Sequence, residues 1–252
     1  EMQRSLVGSE MCIRDSLKYH EEYYHPSNSY IYIYGDMDVN ERLEYLDREY
    51  LSDFDVSDVD IHANIERQAA FDKPVYETKP YAITEDESLE DNTYLSYNAV
   101  IGTSVDAKLY LAFQILDYAL VMTPGAPVKQ ALLDAGISTD VYSSYETSLY
   151  QPVYSIVAKN SNSKEQDRFV SVINDTLEKL VKDGINERTI EAGINYYEFK
   201  YREADYGPYP KGLMYYLTMM DSWLYDETKP FIHIEAGDTF DELKKNARNG
   251  YF

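Results

Sequence analysis

The chain has 252 residues, enough for one large domain or one domain plus part of another. Its hydrophobic fraction of 44% and charged fraction of 27% are ordinary for a globular protein, with 27 tyrosines supplying much of the apolar surface. A net charge of −22 argues against nucleic-acid binding, which needs clustered Lys and Arg. One cysteine excludes an internal disulfide, and four histidines leave little for a metal site. No run is read as approaching the roughly 20 apolar residues of a membrane span.

Residues 1–16 stand apart. Ser5–Ser16, SLVGSEMCIRDS, shows no helix or strand period and no relation to the residues after it. It resembles a translated sequencing-adapter stretch, in which case Cys12 is not biological and the true N-terminus lies elsewhere. A targeting peptide would need an apolar core of about 7–15 residues, which this stretch lacks. No fold element is assigned to it.

From Leu17 to about Asp60 the pattern predicts a helix end, a strand and a helix. Tyr30, Tyr32 and Tyr34 alternate with Ile31 and Ile33, a strand covered at least partly on both faces. Asp38 is an expected N-cap, and Val39, Leu43, Leu46 and Tyr50 an expected buried stripe. His20 and His25 flank acidic residues, but five positions place them about 140° apart on an ideal helix, and Pro26 comes at once. A catalytic zinc usually takes three protein ligands, so neither is assigned to metal. Residues 61–82 hold two prolines, mixed charge and no period; they read as a linker, with His62 facing solvent or bonded locally.

Residues 83–252 give a longer series. Thr93–Ile101 alternates as a half-buried strand; Asp106–Met122 predicts a long helix. A short helix from about Val128 ends at Gly136, a C-terminal cap. Asp140–Thr147 and Val153–Lys159 read as strands, with a turn at Asn160–Ser163. Phe169, Ile173, Leu177 and Leu180 stripe the next helix, closed by Gly184. Ile190, Ile194, Tyr197 and Tyr201 stripe another, beside a polar row of Glu191, Asn195, Glu198 and Arg202. After Pro208 and Pro210, Leu213, Leu217, Met220 and Leu224 lie on one face of a helix so apolar that it should be covered on most sides. Thr239 and Glu242 fit a capping box for a final helix. The order predicts an α+β fold: a two-layer domain with helices on one face of a largely antiparallel sheet, preceded by a strand–helix remnant of a similar domain.

NYYEFKYRE (195–203), PYPKGL (208–213) and WLYD (223–226) resemble the non-catalytic second domain of the insulinase/pitrilysin-like zinc metallopeptidases, in the presequence-protease branch. PVKQALLDAGIST (127–139) resembles the same domain, and YYHPSN…YIYGDMD (23–38) the close of the family's first, catalytic domain. The resemblance covers nearly everything from Leu17 on. It implies that residues 17–60 end the catalytic-type domain and that 83–252 are a second, C-terminally incomplete one. It implies zinc in the parent protein, held by an H-x-x-E-H motif upstream of this chain. It also implies a closed chamber for short unfolded peptides, of which this segment is wall. The partners implied are the upstream catalytic domain, the downstream half of the same chain and peptides, with no nucleic acid and no membrane. The alternative is an inactive peptidase-like scaffold or processing-complex subunit that binds peptides. A bacterial cytoplasmic location is the default expectation.

No catalytic, cofactor or metal residue is assigned within the segment. Glu198, Arg202 and Glu203 are read as structural. Gly102 and Gly136 are read as a bulge and a cap rather than as contacts to a peptide backbone, and His233 as a packed or surface residue.

Overall fold

A computed structural model describes residues 2–55 and 65–252, with side chains from residue 12 on. It divides into two units, Glu1–Glu66 and Arg67–Phe252.

In the first unit, helix α1 spans Met2–Tyr23 and α2 spans Val39–Glu49, each followed by a short 3₁₀ turn at Pro26–Asn28 and Leu51–Asp53. Three expectations change here. α1 runs through the stretch that shows no helical period. Its residues 12–22 are all exposed, and a helix that buries no face needs only helix-forming residues, not an apolar stripe. Tyr30–Tyr34 is not a strand. A strand exists through its hydrogen-bonded neighbour, and none of the described strands lies in this unit. The Tyr32 and Tyr34 rings instead stack with centroids 6.4 Å apart. Asp38 does cap α2, its Oδ1 accepting from the N–H groups of Asn40 (2.9 Å) and Glu41 (3.2 Å). The stripe behind it is not buried: Val39, Leu43 and Tyr50 are exposed.

Residues 65–82 carry no regular structure. His62 and the rest of 61–64 lie outside the described residues.

The second unit is built on a three-stranded antiparallel sheet, β1 Thr93–Val100, β2 Asp140–Glu146 and β3 Val153–Ser161, in the order β1-β3-β2. Alternation decides its faces. On the central strand Tyr154, Ile156 and Ala158 are buried between half-buried neighbours, and Leu95 and Val141 join them from the edges. The strand runs two residues past the expected end at Lys159, with Asn160 at φ +57°.

α3 (Ala107–Asp117) starts where Asp106 Oδ1 accepts from the Leu109 N–H at 3.0 Å. It continues as one π-helical turn, Tyr118–Met122, before α4 (Pro127–Asp134). Pro127 opens α4 where its missing N–H costs nothing. Gly136, at φ +65°, ends it: its N–H reaches Leu133 O and the Ile137 N–H reaches Leu132 O, so the cap reading holds. Gly102 is not a bulge. It lies beyond β1 at φ +55°, and a Cβ there would stand 2.5 Å from Leu109 Cδ2. The one irregularity of that strand's register is at Thr93/Leu95.

α5 (Gln166–Asp183) and α4 cover the sheet, closing a first core with Val128, Leu132, Phe169 and Ile173. α6 (Glu187–Glu203), capped by Asn186, and α8 (Gly237–Ala247) pack on the other side of α3 around Ile115, Ile194, Phe240 and Leu243. α8 begins two residues before Thr239, so the capping box does not form; Glu242 Oε1 instead takes Lys108 Nζ at 2.6 Å. α7 (Lys211–Trp223) departs most from expectation. Met219 and Ser222 are buried, but Leu213, Leu217 and Leu224 are 44–49% exposed, so its apolar face is open to solvent in this unit.

One correction concerns 107–134. By length and composition this run is apolar enough to cross a membrane, contrary to the sequence expectation. Half of its apolar window is buried inside the unit, because α3 is the helix both cores share.

Ile156→Ala should lower the unfolding free energy by about 2–5 kcal/mol in urea titrations, the cost of emptying a core site. Leu217→Ala on the open face should cost under about 1 kcal/mol.

Candidate functional site

α3 and α7 are apolar helices that each carry one acid near the C-terminal end, Asp117 and Asp221. Both acids are turned inward. Tyr154 Oη donates to Asp117 Oδ1 at 2.8 Å, and burial holds the carboxyl above the usual carboxylate range. Asp221 Oδ2 accepts from Tyr110 Oη at 2.8 Å and from Thr147 Oγ1 at 3.3 Å, and burial likewise raises its pKa. The same burial keeps the Tyr110 phenol protonated.

Tyr110 also stacks on His233, ring centroids 3.9 Å apart. His233 Nε2 lies 2.8 Å from the carbonyl oxygen of Ser104. A carbonyl only accepts, so Nε2 carries the proton and Nδ1 is left as the acceptor. Burial pulls the imidazole pKa down from 6.5 to about 4, against a smaller opposing effect of the Ser104 bond. Thus Thr147, Asp221, Tyr110, His233 and Ser104 form a line of touching groups, half-buried at Thr147 and Asp221 and buried from Tyr110 on, linked by hydrogen bonds and by the Tyr110–His233 stack. Ser104 Oγ and Tyr145 Oη are buried without a hydrogen-bond partner among the described residues.

Tyr110 and His233 open onto a cavity of about 460 Å³ between α3, α6, α7 and α8. Leu111, Ile234 and Phe240 line it together with Tyr197, Tyr201, Tyr206 and Tyr215. Lys200 and Arg202 lie on its α6 side. Arg202 is held by Glu198 Oε1 at 2.8 Å and Lys244 of α8 meets Glu198 Oε2 at 2.7 Å. These bonds draw the Glu198 carboxyl below its usual range, and they clip α6 to α8. Glu203 ends α6 on the exposed surface.

Each described histidine has its own local partner. His20 stacks on Tyr24 at 4.6 Å, His25 Nδ1 accepts from the Ser27 N–H at 3.1 Å, and His233 belongs to the polar line. No group of three or more His, Cys, Asp or Glu side chains able to hold a metal ion occurs among the described residues. The described residues therefore do not supply the ligand set of a zinc centre.

Sequence reasoning missed this site because its members look like core. The legible signal was a lone acid on an otherwise apolar helix, Asp117 in AKLYLAFQILD and Asp221 in KGLMYYLTMMDSW.

The family model described as the peptidase M16 inactive domain matches residues 13–197. The chain belongs to this family. Protein HypA of Clostridium perfringens is 41% identical over 236 residues, 94% of this chain and 24% of that protein. Presequence protease 1, chloroplastic/mitochondrial, of Arabidopsis thaliana is 32% identical over 229 residues, 90% of this chain and 21% of that one. The chain thus spans under a quarter of the length of these relatives. A solved inactive peptidase domain from Bordetella parapertussis superposes with a TM-score of 0.46 at 13% identity, covering 61% of this chain and 83% of its own.

The buried histidine gives a signed pH dependence. The folded pKa lies below the unfolded one, so its contribution is whole above about pH 6.5 and is lost as pH falls towards 4. His233→Gln should remove on the order of 3 kcal/mol of the stability difference between pH 7.5 and pH 4. Parallel urea titrations of both proteins, which cancel the other acids, read it directly.

Proposed function

We propose that this chain is the non-catalytic segment of a zinc-dependent metalloendopeptidase that degrades short unfolded peptides in a closed chamber. The segment supplies chamber wall and domain packing, and the zinc ligands lie in another part of the parent protein. Its partners are the other domains of the same polypeptide, and its ligands are peptides. The observation that carries this reading is the match of the inactive-domain family across residues 13–197. The open apolar face of α7 and the short sheet are the surfaces a larger assembly would cover.

Purified 252-residue chain, incubated with an unstructured peptide and zinc, should leave the peptide intact by mass spectrometry. Hydrolysis that a chelator abolishes would refute the assignment of chemistry to the rest of the protein.

A further inference from the structure

The cavity beside the polar line differs in character from the surface around it. Asp and Glu make up 45 of the 252 residues, yet among the described residues no acid lines this cavity, while Lys200 and Arg202 both do. Arg202 is already balanced by Glu198. Lys200 is exposed, holds its Nζ 4.6 Å from the centre of the Tyr196 ring, and has no carboxylate partner among the described residues. The wall is aromatic. Tyr206 and Tyr215 meet edge to face at 6.0 Å, and Tyr201 packs against Phe240 at 5.5 Å. About 460 Å³ lies within the range of sites for small organic ligands. A flat apolar group finds ring edges and apolar side chains there, and an anion finds an ammonium held only against the Tyr196 ring, in a chain of net charge −22.

We propose that this cavity binds an aromatic carboxylate, its ring among the tyrosines and its carboxylate on Lys200. Two sources share that chemistry: the terminal residue of a peptide ending in Phe or Tyr, and a free aromatic acid. The site itself does not depend on the peptidase reading; only the peptide source rests on it.

Calorimetric titration of the full chain at low salt with N-acetyl-phenylalanine, its amide, and Ala-Ala-Ala-Phe with a free or amidated end tests this. The free acid should bind about tenfold more tightly than the amide, the worth of one charge-assisted contact. Lys200→Gln should erase that difference while leaving circular dichroism and the thermal midpoint unchanged. Tetrapeptide binding within a few-fold of the small acid assigns the site to peptide ends; binding of the small acid alone assigns it to free aromatic acids. Equal affinity for acid and amide, an unaltered preference in the Lys200 variant, or no binding of any probe at millimolar concentration overturns the proposal. Peptide cleavage by the chain would sink the peptidase-segment function and leave this result standing.

Discussion

The second unit depends on one helix being buried from two sides. α3 gives Leu111, Ala112 and Ile115 to the core shared with α6 and α8, while Phe113 and Leu116 pack against the core over the sheet. Leu116 and Ile185 touch both cores. That double burial explains why α3 is apolar on more than one face and why 107–134 has the composition of a membrane span while half of its apolar window is buried. Gly193 sets how close the layers come. A Cβ there would lie 3.1 Å from Tyr118 Cδ1 and 3.3 Å from Ile115 Cγ2, so α6 seats against α3 and its π-turn at glycine distance.

The polar groups follow from the same constraint. Polar side chains on the buried faces of α3 must be satisfied inside, and Tyr110 and Asp117 do so across element boundaries, to α7 and to β3. His233 then fills the space beside Tyr110 as a neutral ring bonded to a backbone carbonyl. The cavity is the gap left where α3, α6, α7 and α8 meet without closing fully. Its charged lining residues both come from α6: Arg202, paired with the Glu198 that also clips α6 to α8, and Lys200, whose ammonium meets the Tyr196 ring.

The alternating and helical periods made the second unit legible: its three strands, the stripes of α5 and α6 and the Gly136 terminus follow from local chemistry. What failed was everything that depends on a partner. The Tyr30–Tyr34 run has strand composition but no neighbour to pair with among the described residues of its unit, and the α2 and α7 stripes are apolar without being covered there. The capping box at Thr239 failed because α8 starts earlier, at Gly237. The polar line was hidden for another reason. Tyrosine serves equally as core and as hydrogen-bond donor, and spacing alone cannot separate the two among 27 of them.

The second unit of this M16 inactive-domain chain has two cores riveted by one helix, and it should therefore open as a single piece. That account requires the sheet side and the α6–α8 side to open together. Native-state hydrogen exchange read by mass spectrometry measures this directly. It should give the central amides of β3, α3 and α6 one shared opening free energy, equal to that of global unfolding. An α6–α8 layer exchanging through a separate, much cheaper opening than β3 would contradict it.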